Sequence, residues 1–134
     1  MERKLKLKSD LQNINVVENL IDNLTSEQII STEKQGEVMI CVTEAVINAI
    51  VHGNKNNPEK EVELDVKAED DEVIFRVKDQ GPGFDYNNIP DPTAPENIEK
   101  PDGRGIFLIS KLSDKLEFRN NGSEIEFSFV LNKH

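Results

Sequence analysis

The stretch that decides the fold is residues 38–54, VMICVTEAVINAIVHGN. Its apolar residues Val38, Val42, Ala45, Val46, Ala49 and Ile50 recur at helical spacing, and together they make a surface wide enough to bury most of a helix. Glu44, Asn48 and His52 stand four residues apart. Each such step on an α-helix advances only about 40° around the axis, so the three polar side chains line one edge. A carboxylate, an amide and an imidazole beside a core-forming face are costly to bury without partners. The edge calls for something polar set against it.

The whole chain has 134 residues, the size of one domain spanning 1–134, with the ordinary apolar and high charged content of a folded protein. A formal charge of -10 argues against nucleic acid and anionic membranes as partners. A phosphate ligand would need a metal ion or a local cationic spot. Cys41 is the single cysteine, which excludes a disulfide framework or thiolate cluster and predicts a small buried hydrophobe. The start MERKLKLKSD is charged throughout, and there is no uninterrupted apolar run of about 18 residues, the length of a membrane span. A cytoplasmic location is the expectation.

Working outward from the opening helix, residues 2–8 (ERKLKLK) alternate at period two and predict an edge strand whose lysines discourage strand addition. Ser9 or Asp10 can cap a helix bearing Ile14, Val17, Leu20, Ile21 and Leu24. Ser31 or Thr32 can cap the opening helix, and Gly53 is expected to end it as a C-cap. Residues 60–68 and 72–79 alternate as two strands around an acidic turn at 69–71. The proline-rich stretch 85–102 reads as a long loop, a kind usually tied to function. Gly103-Arg104-Gly105 then opens a helix over 106–112, and residues 114–120 and 123–131 form a hairpin around Asn120-Asn121-Gly122. This order predicts an α+β two-layer sandwich, a mixed, mostly antiparallel sheet with the helices on one face.

Three pieces of this chain point to one chemistry: the helix edge, the strand end Asp79-Gln80-Gly81-Pro82-Gly83-Phe84, and Gly103-Arg104-Gly105 at a helix start. Glycines let backbone N–H groups approach an anion, and the helix dipole favours negative charge there. An Asn oxygen with phosphate oxygens and waters suits Mg²⁺. Asp79 is placed to accept a hydrogen bond from an amino group such as that of adenine. Glu44, one turn from Asn48, is placed to orient or deprotonate an attacking oxygen in phosphoryl transfer. His52 also has a simpler reading, as a partner for the helix C-terminus.

The blocks EAVINAIVHGN, DQGPGF and GRGIFLI resemble the N, G1 and G2 boxes of the histidine kinase-like (GHKL) ATPase fold shared by gyrase, MutL and the histidine kinases. The chain's size, its strand-helix leader and the form Glu-Ala-Val-x-Asn-Ala-x-x-His-Gly are most similar to the anti-sigma factor serine/threonine-protein kinase family. The resemblance covers nearly the whole chain. It implies a Bergerat-type sandwich, ATP with Mg²⁺ as ligand, and an ATP lid at residues 85–102. It also implies Glu44 as catalytic carboxylate, Asn48 as Mg²⁺ ligand and Asp79 as reader of adenine. Gly81 and Gly83 correspond to pocket glycines, Gly103 and Gly105 to the phosphate-binding backbone, and Ser123 to a Thr that supports the adenine-bound aspartate. His52 belongs to the same motif. The chain departs from the family in having Pro101-Asp102 where a basic lid residue is usual, which leaves Lys100 and Arg104 as the nearby cations.

A histidine kinase would need a phosphoacceptor histidine on a dimerisation helix, and gyrase-type enzymes carry transducer domains; neither is expected here. The expected function is a serine/threonine-protein kinase that phosphorylates a small anti-sigma-factor antagonist and binds a sigma factor in its other state, as a homodimer. The alternative is a nucleotide-gated binding module with little or no kinase activity.

Overall fold

The computed structural model describes residues 1–82 and 101–131. The alternating stretches become five strands, β1 (Glu2–Lys8), β2 (Glu61–Glu69), β3 (Glu72–Lys78), β4 (Lys115–Arg119) and β5 (Glu124–Val130). They make one sheet in the order β1-β2-β3-β5-β4. Every ladder in it is antiparallel, so the expected mixed sheet is uniform among the described residues. Two tight hairpins set this direction. Asp70 (φ 51°) and Asp71 (φ 64°) both take left-handed backbone between β2 and β3, as the right-handed twist of a two-residue hairpin requires. Asn120, Asn121 and Gly122 do the same between β4 and β5, with φ of 54°, 59° and 92°.

Three helices join the sheet: α1 (Ile14–Ser26), α2 (Gln35–Asn48), which continues as a π-helical turn at Ala49–Gly53, and α3 (Pro101–Leu112). Asp10 accepts the Gln12 N–H at 2.9 Å and caps a 3-10 turn ahead of α1. Ser31, rather than Thr32, meets the approach to α2 by accepting the Lys34 N–H. Within the described residues α3 already includes Pro101 and Asp102, ahead of the predicted glycine start. The predicted lid at 85–102 therefore ends in helix, and its residues 85–100 lie outside the described part of the chain.

Period two sorts the sheet into unlike faces. One face presents Leu7, Val62, Leu64, Val66, Val73, Phe75, Val77, Ile125, Phe127 and Phe129, all buried. Val17, Leu20, Ile21 and Leu24 of α1 cover it, as do Val38, Val42, Ala45 and Val46 of α2 and Ile106 and Ile109 of α3. Cys41 sits in this core, and burial, with Glu37 and Glu44 adding to it, pushes its thiol up to about 12. The opposite face alternates in charge across the strands, as in the row Lys6, Glu63, Lys78, Glu124, Arg119. Arg76 and Arg119 both reach Glu126 there, at 3.0 and 3.2 Å.

The helix from Gln35 to Gly53 is long and apolar enough by composition to cross a membrane. Here most of its apolar residues join the core, with Ile40 exposed, and it packs between α1 and α3.

At the centre of the core Phe127 stacks on Phe75 with ring centroids 5.7 Å apart and meets Phe129 edge-on at 6.0 Å. Phe127→Ala is expected to cost about 3–5 kcal/mol, because the sheet cannot collapse onto the cavity. Urea unfolding of the variant against the parent chain measures this.

Candidate functional site

α2 delivers the predicted polar edge for as long as its α-helical pitch holds. Glu44 and Asn48 are both half-buried beside α3. The backbone of α3 comes close enough there that a Cβ on Gly105 would stand 2.8 Å from Glu44 Oε2 and 3.0 Å from Asn48 Nδ2. A side chain at this position would have to displace the Glu44 carboxylate. Asn48 Nδ2 is buried and has no hydrogen-bond partner among the described residues. An amide nitrogen left so costs free energy, which suits the position to a group arriving from outside.

After Asn48 the helix widens. The Asn54 N–H donates to Ala49 O and the Asn56 N–H to Ile50 O, each at 2.8 Å. π turns inside α-helices are rare and concentrate at functional sites. The widening breaks the constant step on which the three-residue edge rested, and His52 comes out exposed while Glu44 and Asn48 do not. It also changes the role of Gly53. This residue lies in the π turn without the left-handed backbone of a C-cap. Its lack of a side chain serves packing instead: a Cβ there would collide with the Asp79 carboxyl, and a Cβ on Gly81 would collide with the Gly53 carbonyl.

Asp79 follows β3 and is half-buried. Its N–H donates to the Ser123 carbonyl at 2.9 Å, and its Oδ1 accepts the Gly81 N–H at 2.7 Å. Burial raises the carboxyl above its ordinary 3.8, with the Gly81 hydrogen bond and the Lys60 charge pulling the other way. Ser123 reaches Asp79 through its backbone, since its hydroxyl donates to Asn120 O at 2.8 Å.

Gly103 and Arg104 lie in the first turn of α3, while Gly83 and Lys100 fall outside the described residues. Asn54 was legible only as a turn residue after the helix. It is in fact buried, and its amide meets Gln80 N–H, Ser9 Oγ and Glu61 O. No periodicity marks such a residue, because its partners come from three separate segments. A weak signal was its place directly after His-Gly, where α2 must meet the sheet. Among the described residues no group of three or more His, Cys, Asp or Glu side chains is gathered to hold a metal alone.

Two variants test this geometry. Because the folded chain holds the Asp79 proton more tightly than the unfolded chain, stability tied to this group is full below 3.8 and is lost as pH rises through the raised value. Asp79→Asn should therefore melt higher than the parent at pH 7 without ligand, and the gap should close in acid; thermal unfolding across pH measures it. Gly53→Ala should lose about 1–3 kcal/mol through overpacking against Asp79. Urea unfolding at neutral pH reads that loss.

Residues 7–129 match the family model of the histidine kinase-like ATPase domain. The serine-protein kinase RsbW of Oceanobacillus iheyensis is 24% identical, over 87% of this chain and 78% of that protein. RsbW of Staphylococcus epidermidis is 26% identical, over 93% of this chain and 95% of that protein. The anti-sigma F factor of Oceanobacillus iheyensis is 32% identical, over 60% of this chain and 57% of that protein. Among solved structures, the RsbU and RsbW domains of a Mycobacterium tuberculosis protein match with a TM-score of 0.63 at 10% identity, covering 96% of this chain and 31% of that one. At that identity the likeness is one of fold. The matched span runs from the end of β1 into β5, through the helix edge, the Asp79 turn and the start of α3, and the chain belongs to the histidine kinase-like ATPase domain family.

Proposed function

We propose that this chain is an ATP-binding anti-sigma factor serine/threonine-protein kinase. It transfers the terminal phosphoryl group of Mg-ATP to a Ser or Thr of a small antagonist protein. In its other state it binds a sigma factor, acting as a homodimer in the cytoplasm. Family membership and the names of the relatives support this reading. The observation that carries it is the approach of α3 through Gly105 onto Glu44 and onto the Asn48 amide nitrogen, which is buried without a partner among the described residues.

The Asp79 Oδ1 is engaged by the Gly81 N–H, which leaves the second carboxylate oxygen to accept from the adenine amino group. Asn48 would hold Mg²⁺ through its amide oxygen, together with the nucleotide's own phosphate oxygens. The ion supplies charge neutralisation across the phosphates. Glu44 takes the proton of the acceptor hydroxyl. Gly103 and Gly105 present backbone N–H groups of the first turns of α3 to the phosphates, with Arg104 and Lys100 the cations nearest in sequence.

Asp102 favours a second reading, since it puts an acidic residue next in sequence to Gly103. In that reading the nucleotide only sets affinity for a partner and no phosphoryl group moves. Incubation with γ-labelled ATP and a candidate antagonist separates the two, because label transfer belongs to the kinase alone. Glu44→Gln should cut transfer by about 10²–10⁴-fold while leaving nucleotide affinity nearly unchanged. Transfer at the parent rate would remove Glu44 from the role. Nucleotide binding itself is read by thermal shift, where Mg-ATP at 100 times its Kd should stabilise by about 2.7 kcal/mol.

A further inference from the structure

Asn54 touches none of the reacting groups named above, yet its amide is fully engaged. The residue is 1% exposed, and its Oδ1 accepts the Gln80 N–H at 2.7 Å. Its Nδ2 donates to Ser9 Oγ at 2.8 Å and to Glu61 O at 3.1 Å. The partners extend the clamp, since Ser9 Oγ donates on to Lys60 O and the Gln80 side chain accepts the Glu61 N–H, both at 2.8 Å. One side chain thus joins the segment after β1, the start of β2 and the residue following Asp79 to the end of the π turn.

The position of the Gln80 N–H matters because it belongs to the peptide group that leaves Asp79. The peptide group that enters Asp79 is fixed as well, by the Asp79 N–H donating to Ser123 O at 2.9 Å. Asp79 is therefore pinned on both sides, and only one of the two pins is a side chain. With both peptide planes set, the carboxyl can turn to accept the Gly81 N–H while its second oxygen holds a fixed direction. A buried, fully satisfied amide fixes such a direction more sharply than an exposed one, because its hydrogen bonds are partly or wholly shielded from water.

We infer that Asn54 is a positioning residue for base recognition: it aims the Asp79 carboxylate at the amino group of an adenine nucleotide and so sets selectivity against 6-oxopurines. This rests on the reading of Asp79 as the group that meets the base. A 6-oxopurine such as guanine presents an acceptor where adenine presents a donor, so it gains nothing from a well-aimed carboxylate. Loss of the aim should weaken ATP and spare GTP.

Isothermal titration of the full chain with Mg-ATP and Mg-GTP tests this on the parent, Asn54→Ala, Asn54→Ser and Ser9→Ala. Asn54→Ser serves where the alanine variant does not fold, since its hydroxyl still offers a donor to the Glu61 carbonyl. Both Asn54 variants should bind ATP about tenfold more weakly, the effect of one misplaced hydrogen bond. Their GTP affinity should hold, so the ATP/GTP preference falls. Ser9→Ala loses a clamp contact but keeps the Gln80 bond; it should melt lower and retain the parent preference. An unchanged preference in the Asn54 variants, or an equal fall in Ser9→Ala, overturns the inference while leaving the proposed function intact. A parent chain that binds neither nucleotide overturns the proposed function, and this inference with it.

Discussion

Where the end of α2 meets the end of β3, two backbones touch with nothing between them. Gly53 lies against the Asp79 carboxyl, and Gly81 lies against the Gly53 carbonyl. A single methyl group at either place would part the helix from the strand. The half-burial of Asp79 follows from this contact, as does the short reach from Asn54 to the Gln80 N–H. A second close approach, Gly105 onto Glu44 and Asn48, repeats the device on the other side of α2. The helix is thus gripped along its polar edge by backbone, which leaves room beside it for a ligand to be met by peptide groups.

The site is held in a state that suits a ligand better than it suits the empty protein. Asp79 keeps a carboxyl where burial opposes its charge, and Asn48 keeps a buried nitrogen without a partner among the described residues. Both are local losses set against a core of interlocked phenylalanines and a sheet whose outer face pairs Arg76 and Arg119 with Glu126. Natural proteins break local rules at functional sites and offset the loss elsewhere.

Much of the fold was legible because its signals are periodic. Residues 2–8, 60–68 and 72–79 largely alternate and became strands, and Val17, Leu20, Ile21 and Leu24 recur at helical spacing and are buried. Glu44 and Asn48 were legible for the same reason, as neighbours on a regular helix. The differences arose where regularity stops. His52 was reached by extending an α-helical step into a π-helical segment, where it is exposed, and Gly53 was given a terminating role when its role is contact. Asn54 stayed hidden because its partners, Ser9, Glu61 and Gln80, are drawn together only by the tertiary fold.

The wide turn at Ala49–Gly53 uncouples two angular settings that a uniform helix would lock together. A straight α-helix is a rigid screw, in which the face shown at one end dictates the face shown at the other. Here Glu44 and Asn48 must be phased to α3, while Gly53 and Asn54 must be phased to the sheet. The extra residue in the turn acts as a slipped thread between the two. Removing one residue from it would tighten it into an even α-helical screw. The register of this one turn, as much as the identity of the side chains after it, decides that the amide of Asn54 faces Gln80.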